Sequence, residues 1–232
     1  MTSRFWSKIS ASGALLAATA AVAGLLPNPP FTTGGYNAPD ANTLKQEQGV
    51  GKVITKYVGG RTKCDQKAVA SLQKSSAAAD TAGVTAAEVA WNLCKANANA
   101  KYLVDRDLLL SGGTPACLNA AGIDAIKTSL DAQLLLLGPL VYCDSFYGTN
   151  GVTQLNIPET AAGAKAEVSE AKTATKAGTG AGKCYTKAAS TVFKDLGLLP
   201  PADLTKFNDC LTKANQKGLD AVAKAILKGT NP

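Results

Sequence analysis

Apolar residues recur three and four apart along most of the chain, and strand-like alternation of Val, Ile, Thr and aromatics is hard to find. The pattern predicts an all-α protein. A first helix is expected to follow Asp40, with Val50, Val53, Ile54, Tyr57 and Val58 on one face and Gly59-Gly60 as its stop. A second runs from Thr62 to Ala79 and turns Ala68, Val69 and Leu72 to the core, before a turn at Asp80 to Gly83. Thr85 with Glu88 forms a capping box that opens a third helix. In it Val89, Leu93, Ala96, Ala100 and Leu103 follow at 4-3-4-3 spacing, the seam of a helix packed lengthwise on a neighbour, and Ser111-Gly112-Gly113 ends it.

Thr114-Pro115 marks the next helix start, since proline at the first helical position wastes no hydrogen bond. Leu118, Ala121, Ala125, Leu130, Leu134 and Leu137 carry that helix to Gly138-Pro139, and a short segment with Val141, Tyr142 and Phe146 ends at Gly148 to Gly151. Residues 152–182 are rich in Ala, Lys, Thr, Glu and Gly with almost no large apolar side chain, the composition of a polar linker. A helical hairpin follows, from Lys183 to Leu196 and from Asp203 to about Lys228, with Leu204, Phe207, Leu211, Ala214, Gly218, Ala221 and Ala225 along its second arm. The organisation reads as an extended arm at 24–39, a helical bundle at 40–151 containing a first cysteine hairpin, the linker at 152–182, and a second cysteine hairpin at 183–232.

Ahead of these lie Arg4 and Lys8 and an uncharged run of small and apolar residues from Gly13 to Leu26, the pattern of an export signal. Ala21-Val22-Ala23 is favoured over Ala18-Thr19-Ala20 as the cleavage site, giving a signal peptide at 1–23 and a mature start at Gly24. The run is shorter than the ~20 apolar residues of a spanning helix, and Pro27, Pro29 and Pro30 follow it. The protein is therefore expected to be exported, periplasmic or secreted, with no membrane span after cleavage. Losing residues 1–23 leaves 209 of 232 residues, and losing Arg4 and Lys8 lowers the formal net charge from +7 to +5. Lys and Asp/Glu are interspersed along the helices, and no Lys/Arg cluster with interleaved aromatics points to nucleic acid.

The cysteines fall at Cys64, Cys94, Cys117, Cys143, Cys184 and Cys210, an even number that reads as disulfides in an oxidising compartment. Zinc is disfavoured, because no two cysteines are closer than 23 positions and histidine is absent. Lys63-Cys64-x-x-Lys67-Ala68 matches Lys183-Cys184-x-x-Lys187-Ala188, and Cys94-Lys95-Ala96-Asn97 is answered by Cys210 with Lys213-Ala214-Asn215, which suggests a duplicated helical hairpin. In an antiparallel pair, residues equidistant from the turn face each other. The midpoint of Cys64 and Cys94 falls beside Asp80 and that of Cys184 and Cys210 at Gly197, so these are the preferred pairs. Cys117 and Cys143 fail this test: a continuous helix between them would hold them ~39 Å apart, so a break at Gly122, a fold-back near Gly138-Pro139 or a different pairing is required.

The Lys-Cys-x-x-Lys element, Thr114-Pro115-Ala116-Cys117-Leu118 and Cys210-Leu211-Thr212-Lys213-Ala214 resemble parts of uncharacterised secreted bacterial proteins built from cysteine-bearing helical repeats. That resemblance implies an exported helical scaffold and no activity. The fold expected is thus a disulfide-crosslinked all-α bundle with a duplicated helical hairpin.

Candidate chemistry is sparse. Without histidine, the commonest general base and metal ligand and the triad arrangements that use it are excluded. Asp105-Arg106-Asp107 reads as a structural ion-pair cluster, Ser111-Gly112-Gly113-Thr114 as a helix stop followed by a cap, and Asn150-Gly151 as a turn. Trp91 and Tyr102 read as amphipathic contacts, and Leu134 to Leu137 as core packing or the lining of an apolar contact or cavity. No catalytic, metal or cofactor site is expected. The leading expectation is an exported non-enzymatic interaction or structural protein whose partner is a protein or polymer; the alternative is a carrier of a small apolar ligand between the helices.

Overall fold

The computed structural model describes residues 38–141, 160–195 and 201–229. They form a disulfide-crosslinked all-α bundle with no strand among the described residues. Its helices are α1 (Ala41–Ala77), α2 (Thr81–Ser111), α3 (Ala120–Val141), α4 (Ala161–Lys194) and α5 (Pro201–Gly229), with a single 3-10 turn at Ala116–Leu118. The expected export signal, the arm to residue 37, Tyr142, Cys143, Phe146 and Asn150-Gly151 lie outside the described residues.

α1 is the central rod. Asp40 caps it by accepting from the backbone N–H groups of Asn42 and Thr43, both at 2.8 Å. It then runs unbroken through Gly59-Gly60, where a stop was expected. A glycine pair ends a helix when one residue turns left-handed, and here neither does. Instead the pair continues the helix, with Gly60 facing α2, where a Cβ would sit at an ordinary packing distance of 3.5 Å from the Ala98 methyl. Val50, Val53 and Tyr57, and further on Ala68, Val69 and Leu72, are buried as their spacing predicts.

α1 ends in a Schellman motif: Asp80 N–H reaches Ser75 O at 2.9 Å and Ala79 N–H reaches Ser76 O at 3.0 Å. The left-handed position, usually glycine, is Ala79 at φ +51°. The tight turn lets Asp80 cap α2 by accepting from Gly83 N–H at 2.9 Å. α2 therefore begins at Thr81, a turn earlier than the expected capping box, and the Thr85 hydroxyl donates back to Thr81 O at 3.1 Å. The proline of Thr114-Pro115 precedes only the 3-10 turn; α3 opens at Ala120, with the Asn119 side chain accepting from Gly122 N–H at 2.9 Å, and it continues past Gly138-Pro139 to Val141.

The largest departure from the sequence pattern is the polar linker. Residues from Ala161 onward form one helix through to Lys194, capped by the Thr160 hydroxyl on Gly163 N–H at 3.0 Å. Its hydroxyls are absorbed locally, Thr175, Thr179, Thr186 and Ser190 each donating to the carbonyl four residues back. Ala164, Ala171 and Ala177 are buried, so this helix packs through small side chains that carry little hydropathy. It lies antiparallel to α1: the Gln48 amide donates to the Ser190 hydroxyl at 2.8 Å near one end, and the Thr175 and Thr62 hydroxyl oxygens lie 3.2 Å apart further along. α5 packs on α4, with Gly180 opposite Ala214; a Cβ there would come within 3.2 Å of the Ala214 Cβ.

Among the described residues two clusters fill the core. Ala68, Val69, Leu72 and Ala87 meet Ala164 and Ala171 near the α1–α2 turn, and Val50, Val53, Tyr57, Tyr102 and Ile123 pack at the opposite end. Because an L-residue in the left-handed region costs about 1–2 kcal/mol and glycine's extra backbone entropy about 0.5–1 kcal/mol, Ala79→Gly should stabilise the fold by about 0.5–1 kcal/mol. Denaturant unfolding checks this; an unchanged or lowered midpoint contradicts the assignment of the turn.

Candidate functional site

Both hairpins are locked by the cysteines that turn-midpoint geometry selects. Cys64 is bonded to Cys94 with Cα atoms 5.6 Å apart, and Cys184 to Cys210 at 5.8 Å. Cys117 lies in the 3-10 turn, while Cys143 and hence the pairing of these two fall outside the described residues.

The Cys64–Cys94 register decides which polar groups meet between α1 and α2. One turn from the bridge, Trp91 Nε1–H donates to Asp65 Oδ1 at 2.8 Å, and the Lys95 ammonium sits 3.6 Å above the Trp91 ring centroid. Burial raises the Asp65 carboxyl above the ordinary aspartate range, partly offset by the indole hydrogen bond and by Arg61 and Lys95; burial lowers the Lys95 ammonium.

Towards the other end, the Tyr57 and Tyr102 rings lie 5.2 Å apart between α1 and α2, and α3 supplies acceptors to both. Tyr57 Oη donates to Asp131 at 2.5 Å and Tyr102 Oη to Asp124 at 2.6 Å. Lys127 pairs with Asp131 at 2.7 Å and stands 4.7 Å from the Tyr57 ring centroid. Arg106 bridges Asp124 and Asp107, and Lys56 reaches Asp105 at 3.4 Å, so the expected ion-pair reading of Asp105-Arg106-Asp107 holds. Burial, then the hydrogen bond to Asp124, push the Tyr102 phenol well up; the same bond, with Arg106, holds Asp124 below the ordinary carboxylate range. Each of these acids and bases already has a partner, which suits a joint between three helices. Among the described residues no group of three or more His, Cys, Asp or Glu is placed to hold a metal ion.

Sequence reasoning missed Asp65, Lys127, Asp124 and Asp131. The first was recoverable: once Cys64 is set opposite Cys94, the neighbours Asp65 and Trp91 fall within one turn of each other. The other three depend on how α3 docks, which no periodicity reports.

The 4-3-4-3 seam of α2 is the feature whose placement differs most from expectation. The side of α2 turned to the bundle carries Val84, Ala87, Trp91, Cys94 and Tyr102. The seam lies on the opposite side, with Val89 63% and Leu93 60% exposed and Ala96, Ala100 and Leu103 beside them in solvent. α2 thus has two apolar stripes and only one covered by the described chain. A recess of about 310 Å³ beside the α1–α2 turn is lined by Ser76, Ala79, Asp80, Thr81, Val84 and Thr85. Of the leucine run, Leu134 is half-buried and the side chains of Leu135 to Leu137 lie outside those described. Among the described residues no helix is long and apolar enough to cross a membrane.

Comparison with protein-family models, with curated proteins and with solved structures finds no match for this chain.

Closing a 30-residue loop, the Cys64–Cys94 bridge should contribute about 3–4 kcal/mol. Cys64→Ala/Cys94→Ala is accordingly expected to lose at least that much in denaturant titration, and a loss below about 1 kcal/mol would contradict the bridge's role. Asp65 gives a pH test. Its folded value lies above its unfolded one, so stability is highest below the unfolded value and falls as pH climbs from there through the folded value. In the chain starting at Gly24, Trp91 is the sole tryptophan. Its fluorescence should titrate with a midpoint above 3.8, and Asp65→Asn should abolish the step; a midpoint at or below 3.8 contradicts the burial argument.

Proposed function

We propose that this is an exported, non-enzymatic interaction or structural protein, a disulfide-braced helical body that offers the outer face of α2 to a partner. The observation that carries this reading is the exposed apolar seam at heptad spacing on a helix whose inner face is already packed. Isolated surface apolar residues are ordinary, whereas a contiguous stripe marks a contact surface. The export signal supports placement outside the cytoplasm, as do the intramolecular disulfides, which persist in oxidising compartments. The tyrosine, carboxylate and cationic groups between the helices are engaged with one another, and this supports a structural use for them. The resemblance to secreted cysteine-bearing helical repeats points the same way. The carrier alternative has weaker support among the described residues, where the recess at the α1–α2 turn is lined largely by polar and small side chains.

A photo-crosslinking residue at position 93, in the chain made by its own host and recovered from envelope and medium, tests this. The expected result is a discrete covalent species joining the chain to a protein or polymer at high yield. Recovery of the uncrosslinked monomer alone would overturn the reading.

A further inference from the structure

The outward positions of α2 are Ala86, Val89, Leu93, Ala96, Ala100 and Leu103, all exposed. Their order has a property beyond its heptad spacing: it complements its own reverse. About a point midway between Leu93 and Ala96, Leu93 is equidistant with Ala96, Val89 with Ala100, and Leu103 with Ala86. Each pair contains one large and one small side chain.

Resting on the reading of this face as a contact surface, we propose that its occupant is a second copy of this chain, with the two α2 helices antiparallel across a two-fold axis at the Leu93–Ala96 midpoint. Antiparallel helices of this kind set an a position against a d position in each layer. The arrangement therefore places every Leu or Val over an Ala, giving layers of even volume that interdigitate. A parallel pair in register would stack Leu93 on Leu93 and Ala96 on Ala96, giving layers of uneven volume with gaps at the alanines. The two-fold contact is isologous, so the same six positions serve both copies.

The flanks agree with this occupant. A chain of formal net charge +7, or +5 after signal removal, needs a face that opposes no like charges if it is to meet itself. The positions bordering the seam are Asn92 and Asn99 on one side and Ala90 and Asn97 on the other, all uncharged. Across the two-fold axis Asn92 and Asn99 of the second copy fall on the same side of the seam, two residues out of level, and their amides can both donate and accept. Val104 and Leu108, 67% and 72% exposed, widen the apolar edge near the end of α2. From Ala86 to Leu103 the contact is about 27 Å long, a single helix pair and smaller than a standard interface of ~800 Å² per partner. The dimer should accordingly dissociate in the micromolar range.

Sedimentation equilibrium of the oxidised, exported chain should show a reversible monomer–dimer exchange. Leu93→Glu and Ala96→Lys each put a charge into the central layer and should weaken the dimer by at least about tenfold. Because both sites are exposed, thermal melting at concentrations where the wild type is monomeric should be unchanged. Mixing the two variants should restore a heterodimer, since only the antiparallel arrangement brings Glu at 93 of one copy against Lys at 96 of the other. Three results would overturn the proposal: a wild-type monomer at all concentrations, a dimer indifferent to L93E, or a mixture no stronger than either variant alone. A monomer in which L93E changes hydrogen exchange at residues 24–37 or 142–159 would also overturn it, by assigning the seam to the chain itself. If the position-93 crosslink reaches a different protein, the homodimer fails while the contact-surface reading stands; if it reaches nothing, both fail.

Discussion

Two covalent crosslinks set the register of two antiparallel helical hairpins, and the remaining contacts follow from that register. With Cys64 opposite Cys94, Gly60 comes level with Ala98, Tyr57 with Tyr102 and Lys56 with Asp105, on one side of the bridge, and Asp65 with Trp91 on the other. With Cys184 opposite Cys210, Gly180 meets Ala214, and the rings of Tyr185 and Phe207 meet edge-on at 5.1 Å. Among the described residues the core has few large side chains, Tyr102, Leu72 and Ile123 being the largest that are fully buried. A buried aliphatic side chain contributes about 1.5–3 kcal/mol and a bridge of this loop length about 3–4 kcal/mol. Each disulfide therefore matters as much as one or two core residues, and it also prevents slippage between Ala-rich surfaces that would otherwise fit in more than one register.

Much of this was legible from residue order alone. Equal distance from a turn identified both bridges, the helix start after Asp40 was placed correctly, and the buried faces of α1 at Val50, Val53 and Tyr57 and at Val69 and Leu72 followed from their spacing. What stayed hidden has a common cause: alanine and glycine do not announce their neighbours. Gly59-Gly60 resembles a helix stop unless one knows that Ala98 lies against it. The Thr- and Ala-rich start of α4 resembles a linker unless α1 is there to receive Ala164 and Ala171 and the Thr175 hydroxyl. On α2, periodicity found the stripe with the larger aliphatic residues, and packing used the other, where the bridge and two aromatic side chains lie.

The same geometry organises the chemistry. Tyrosine hydroxyls, aspartates, Lys127 and Arg106 are drawn into a joint between α1, α2 and α3, and Trp91 shields Asp65 next to the first bridge. The polar groups hold helices to one another, while the outward side of α2 holds nothing in the described chain. Among the described residues, the apolar outer face of α2 is the feature on which the proposed contact role rests.

The Cys64–Cys94 register turns the Val89–Leu93–Leu103 side of α2 outward. Residue-resolved carbene footprinting of the oxidised chain, at dilution low enough to keep it monomeric, tests this most directly. The account predicts strong labelling at Val89, Leu93 and Leu108 and protection at Val69, Leu72 and Tyr102; protection of Val89 and Leu93 in the monomer, with Trp91 and Tyr102 labelled, would contradict it.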